Sequence, residues 1–225
     1  MSDTDPNDGR GAAEDVDGGY EAERSAAAAA AELPEEIREA VPEWDDEYLD
    51  RVSDRLMYNY DLERDRCAHG ERWIMYGEMR VLNQKQFFHP ALNYADHEAE
   101  EYLFVRRQTR PTIAELERLV ELGHEIADER IVADEEHFGT DITFVLVCEE
   151  LPDDVAAFVS GFRDRNLLKF GYYGHYDVNL AVVVPEQEQA VASEAADVAE
   201  AFTLWEDVTE PDEGFLSRFA KRFWK

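Results

Sequence analysis

"DITFVLVCEE" (residues 141–150) carries apolar groups on both alternating sets of positions, from Ile142 to Cys148. A strand with only one covered face alternates apolar and polar residues, so this stretch predicts a central strand covered on both sides. "DVNLAVVV" (177–184) reads the same way and predicts a second buried strand. Between them, "PDDVAAFVSGFRD" (152–164) predicts a helix with Pro152 in its first turn, where a missing N–H does no harm. Upstream, "PTIAELERLVELGHEIADER" (111–130) is the clearest helix in the sequence. Thr112 and Glu115 are spaced as a capping box, and Ile113, Leu116, Leu119, Val120, Gly123 and Ile126 share one side.

Further out, "RWIMYGEMRVL" (72–82) alternates as a strand and "EEYLFVRRQ" (100–108) predicts another. "QKQFFHPALNY" (84–94) reads as a return strand or loop. Tyr48, Leu49, Val52, Leu56 and Tyr60 recur at helical spacing and predict a helix from Trp44 to Glu63, ended by "CAHGE". "LPEEIREAV" (33–41) predicts a short helix before it, and an alanine-rich helix is expected over 186–202. Strands separated by helices imply an α/β fold, or a mixed α+β variant, with a mixed sheet and helices on both faces. The expected organisation is a disordered acidic arm over 1–33, one domain over 34–203, an acidic linker over 204–213 and a closing amphipathic helix over 214–225.

The order of elements over residues 44–185 resembles the core of restriction-endonuclease-like nucleases. Those enzymes carry an acid, then an acid–X–lysine triplet on the following strand. Here the matching strand reads "EEYLFVRR" and lacks the triplet, so no catalytic residue is carried over from that likeness.

The 225 residues carry 53 acids and 22 bases, a formal net charge of −31. Residues 1–36 contribute 11 acids and two arginines, so most of the excess is spread along the rest of the chain. Only Lys85, Lys169, Lys221 and Lys225 are lysines, and the other 18 bases are arginines. Dispersed acids, scarce lysine and abundant alanine resemble the composition of uncharacterised haloarchaeal proteins, and that resemblance implies a salt-rich cytoplasm. No basic stretch followed by an apolar run opens the chain, and no apolar run of about 18 residues occurs, so a cytoplasmic protein is expected, with peripheral membrane contact as the variant. Cys67 and Cys148 read as two reduced structural thiols.

Four groups of residues are candidates for chemistry or binding. His89, Asp96 and His97 combine imidazole and carboxylate, which suits a metal-dependent hydrolase. Their spacing matches no metal motif, however, so neither a metal nor any other cofactor is expected. Arg80, Lys85, Arg106, Arg107 and Arg110 could grip an anion or nucleic acid. Phosphate binding weakens steeply with salt, which disfavours nucleic acid in the setting the composition implies. In "KFGYYGHYD" (169–177), Lys169, Tyr172, Tyr173 and His175 make either an aromatic hairpin packed on the core, the commoner arrangement, or the rim of a ligand pocket or interface.

The fourth group is the closing "GFLSRFAKRFWK" (214–225). On a helical wheel, Phe215, Leu216, Phe219, Phe223 and Trp224 fill one half, and Arg218, Lys221, Arg222 and Lys225 the other. Isolated helices shorter than about 12–15 residues are marginal in water, so this segment is expected to form only when docked. Its expected receivers are a protein partner, the chain's own domain or an anionic lipid surface. The functional expectation is a binding or adaptor module acting through this helix, with a degenerate nuclease or a hydrolase built on the His89–His97 region as the alternative.

The spread of acids makes one expectation directly measurable. At about 1 M salt the Debye length falls to about 3 Å and self-repulsion is screened. The melting temperature followed by circular dichroism should rise steadily as KCl is raised from dilute buffer to molar concentration. A melting temperature indifferent to salt would contradict it.

Overall fold

The computed structural model describes residues 42–84 and 96–206. In order, the chain forms α1 (Glu47–Leu56), β1 (Asp61–Ala68), β2 (Glu71–Gln84), β3 (Asp96–Gln108), α2 (Ile113–Arg130), β4 (His137–Cys148), α3 (Asp153–Ser160), β5 (Arg165–Leu167), β6 (His175–Val184) and β7 (Gln189–Ala192). Short 3-10 segments follow β5 (Leu168–Gly171), β6 (Pro185–Gln187) and β7 (Asp197–Phe202).

The seven strands form one mixed sheet in the order β1-β2-β3-β4-β6-β5, with β7 also on β6. β1, β2 and β3 are an antiparallel meander. β3, β4 and β6 run parallel, which demands a crossover between each successive pair. Those crossovers hold α2 and α3. The fold is therefore a mixed α+β arrangement with helices on both faces of the sheet.

Both predicted central strands are buried throughout their apolar stretches. On one face, Phe144, Leu146, Leu180 and Val182 meet Leu116, Leu119 and Ile126 of α2 and Val155 and Val159 of α3. On the other, Val145, Val147, Ala181 and Val183 meet Leu49, Val52 and Leu56 of α1, with Val198 and Phe202 of the last 3-10 segment. α2 lies close to the sheet at Gly123, where an added Cβ would come within 2.8 Å of Val178. The capping box expected at its start is half formed. Thr112 Oγ1 accepts from the Glu115 N–H, but the Glu115 carboxylate accepts from Gln108 and pairs with Arg106 instead of turning back.

Three expectations are corrected. The helix expected over 44–63 is confined to Glu47–Leu56, and residues 61–68 are β1 of a hairpin. The apolar spacing continues through Tyr60, but Tyr60 and Leu62 pack beside Gly77 of β2, whose missing side chain makes room for them. "CAHGE" is the hairpin turn rather than a helix stop, with His69 and Gly70 both at positive φ. The alanine-rich helix expected over 186–202 is absent. Its place is taken by the 3-10 turn, β7 and the last 3-10 segment, because the free edge of β6 pairs with Gln189–Ala192. Finally, the expected linker does not begin at 204, since Leu204 and Trp205 pack against the core. The segments 1–33 and 214–225 lie outside the described residues.

A candidate recognition loop

The short β5 pairs antiparallel with the first three residues of β6: Arg165 with Asp177, Asn166 with Tyr176, and Leu167 with His175. The chain between them, 168–174, must reverse within a few residues. It does so with Lys169, Phe170 and Gly171 in succession at φ of 46°, 61° and 87°. For a residue with a Cβ, that region costs about 1–2 kcal/mol. The turn is closed by Leu168 N–H donating to Gly174 O (3.0 Å) and Tyr173 N–H to Leu168 O (3.3 Å). Gly174 is required twice, by its φ of 76° and by Phe138 O, which would lie 2.0 Å from an added Cβ.

The base of the loop is fixed by histidines and charges. Tyr173 O can only accept, so His137 Nδ1 carries the proton donated to it (2.7 Å), and His137 Nε2 accepts from Thr140 (2.9 Å). His124 of α2 sits between Asp164 (Nε2, 3.2 Å) and the Tyr176 hydroxyl (Nδ1, 3.0 Å). The carboxylate holds a proton on Nε2, leaving Nδ1 to accept from the tyrosine. Asp164, His124 and Tyr176 thus line up as an acid, an imidazole and a hydroxyl. Burial first, then Asp128 and Asp164, push the Tyr176 hydroxyl above its ordinary range. The line ties α2 to the start of β6 and to the residue just before β5. Arg165 grips Asp177 with Nε and Nη2, both at 2.9 Å.

Behind the loop, Glu101, Asp141 and Asp177 occupy one register row across β3, β4 and β6, all buried. Thr143 donates to Glu101 (3.1 Å), and Asn179 reaches Asp141 at 3.5 Å. The Tyr60 hydroxyl faces Glu101, and burial followed by that carboxylate hold its proton firmly. Sequence reasoning missed this row. Its signal was an acid ahead of, or at the start of, each apolar run: "EEYLFV", "DITFVLV" and "DVNLAVVV". A cleft of about 310 Å³ touches the row at Asp177 and is also lined by Asn179, two residues further along β6. Its charged lining is already matched, Arg165 to Asp177 and Arg163 to Glu194.

The base of the loop is held, but its crown is bare. Phe170 is 98% exposed, Tyr172 87% and Leu167 64%. The commoner expectation, an aromatic hairpin packed on the core, is therefore half overturned. Tyr173 and Tyr176 are partly buried at the base, whereas Phe170 and Tyr172 stand in solvent. His175 is at the base too, 3.7 Å from Asp177, and Lys169 is exposed.

The arginine candidates do not join this loop. Arg106 and Arg107 register with Leu146 and Val147 of β4, which pair with Val182 and Val183 of β6. His175 is seven to eight residues earlier on β6, or about 23–26 Å away along the strand. Nor do they assemble an anion site of their own. Arg80 pairs with Glu100, Arg106 with Glu71 and Glu115, Arg107 with Asp46, and Arg110 with Glu150. Lys85 and His89 lie outside the described residues, and Asp96 and His97 begin β3, opposite Gln84 and Asn83. Among the described residues, no group of three or more His, Cys, Asp or Glu side chains is placed to hold a metal ion. Cys148 is buried, its thiol pushed up to about 12 chiefly by desolvation, while Cys67 is exposed. No helix among the described residues is long and apolar enough to cross a membrane.

Residues 45–204 match a family described as a domain of unknown function (DUF8052). No curated protein and no solved structure matches the chain, so the likeness to nucleases rests on the order of elements alone.

The two loop glycines separate conformation from contact. Gly171→Ala meets nothing within 4 Å and should lower stability by about 1–2 kcal/mol, the left-handed penalty alone. Gly174→Ala adds the collision with Phe138 O and should lower it clearly further. Urea denaturation at constant m-value measures both, and equal losses would contradict the close approach.

Proposed function

The chain belongs to the DUF8052 family, a domain of unknown function, and we propose that it acts by recognising another protein, with the loop of residues 167–172 as the recognition element. The observation that carries this reading is the exposure of Phe170 and Tyr172 on a backbone held at three consecutive positive φ values. A loop that relaxed onto the domain would hide these rings and avoid the left-handed cost. Left-handed non-glycine residues persist where the surroundings over-determine them, and they cluster at functional sites. Here the surroundings are the β5–β6 ladder and the His124 and His137 tethers.

Aromatic rings are the usual anchors of protein interfaces, entering a pocket on the partner where each buries a large area with few rotatable bonds. Full burial of Phe170, Tyr172 and Leu167 is worth about 1.5–3 kcal/mol each. A net charge of −31 and the acids at the loop base, Asp128, Asp164 and Asp177, weigh against an anionic membrane as receiver. The pairing of Arg80, Arg106, Arg107 and Arg110 with carboxylates of the chain itself weighs against nucleic acid. The dispersed acidity supports a salt-rich cytoplasm as the place of action, where burial of apolar surface outlasts charge as a motive for binding.

A photocrosslinking amino acid placed at position 170 of the full-length chain in its native cells tests this reading. Position 132, also exposed (Val132, 72%), serves as the control. The expected result is one discrete adduct from position 170 and none from 132. Tyr172→Ser should weaken that adduct while leaving stability within about 0.5 kcal/mol. Equal, diffuse labelling from both positions would overturn the proposal.

A further inference from the structure

A crevice of about 500 Å³ opens at the carboxyl ends of β3 and β6, far from the recognition loop. Tyr48, Leu204, Trp205 and Pro185 line it with apolar surface, alongside Asp46, Glu47, Glu186, Glu188, Arg51 and Arg107. Arg107 is taken up by Asp46. Among the described residues, no basic side chain pairs with Glu47, Glu186 or Glu188, and all three are exposed. The crevice therefore presents apolar side chains beside three open carboxylates and one exposed arginine, Arg51, a net acidic lining.

The chain arrives at this crevice by a fixed route. Tyr48 donates to Phe202 O (2.7 Å), and Arg55 donates to Glu200 O (3.3 Å) and Thr203 O (3.2 Å). These bonds hold the last 3-10 segment on α1 and deliver Leu204 and Trp205 into the crevice lining. Residues 207–213, "DVTEPDE", come next. Seven residues reach at most about 25 Å, so a segment that begins at Gly214 has the crevice within its reach. That segment is "GFLSRFAKRFWK", with five large apolar side chains and four bases.

We infer that residues 214–225 dock back on this crevice, setting Phe215, Phe219, Phe223 and Trp224 against Tyr48, Leu204 and Trp205 and the bases beside Glu47, Glu186 and Glu188. The short tether raises the local concentration of the segment to the millimolar range, which favours the chain's own surface over a partner met by diffusion. The four acids of 207–213 carry the same sign as the open carboxylates and keep the tether itself off the crevice. Exposed ion pairs contribute little each. The apolar contacts give the affinity, and the charges set which way the segment lies.

Hydrogen–deuterium exchange on the full-length chain tests this, comparing wild type with Phe219→Asp/Phe223→Asp and with Glu186→Lys/Glu188→Lys at two protein concentrations. Both variants should exchange faster by about tenfold or more at residues 46–51 and 185–188. The amides of β4 should be unchanged, which shows that the fold is intact, and wild-type protection should not depend on concentration. The first variant alters nothing in the domain, so it reads docking even if the second perturbs the crevice. Identical exchange in wild type and Phe219→Asp/Phe223→Asp would overturn the inference. So would protection that grows with concentration, which means a second copy, or that needs anionic vesicles, which means lipid.

Discussion

The parallel pairing of β4 with β6 brings together two strands whose side chains are apolar on both faces, and neither face can be left in water. At about 25 cal/mol per Å² of apolar surface, a pair buried on both sides commits the chain to two covering layers. α2 and α3 supply one as the crossovers that parallel strands require. α1 and the segment Asp197–Phe202 supply the other. The outer edge of β6 is then closed in three places. β5 pairs with residues 175–177 and β7 with 181–184, while Ser193 exchanges hydrogen bonds with Leu180 between them. The loop of residues 168–174 exists because β5 stops after three residues and the chain must turn sharply to re-enter as β6.

Much of this was legible. Strands buried on both faces announce themselves as unbroken apolar runs, and the helix over 111–130 does so by its periodicity and its Thr112 cap. What misled was the boundary of α1. Tyr60 fits the helical spacing of Tyr48, Leu49, Val52 and Leu56, yet it is placed by the vacancy over Gly77 on a strand that local pattern cannot see. The alanines after 186 misled for a related reason. Helix propensity is a weak prior, and pairing with an open strand edge outweighed it.

The site was legible in its residues but not in its geometry. "KFGYYGHYD" stood out by its aromatics and glycines, but which rings would face out depended on the left-handed backbone at Lys169 and Phe170. That backbone depends in turn on His137 and His124, which approach from β4 and α2. The arginines of "RRQTR" looked like one patch because they are neighbours in sequence. Alternation on β3 sends Arg106 and Arg107 to opposite faces, where each meets a different carboxylate. The row Glu101, Asp141 and Asp177 went unnoticed because strand register alone brings it together.

A domain built this way separates a rigid base from an exposed apolar crown, which is the arrangement a preorganised recognition surface needs. Rigidity lowers the ordering cost on binding, and the histidine tethers and the β5–β6 ladder are its physical source. The most direct test is the backbone motion of residues 169–172 in the free protein, measured by ¹⁵N relaxation. Order parameters near about 0.85, the level of rigid backbone, are predicted. Values below about 0.6 would show a loose loop and contradict the account.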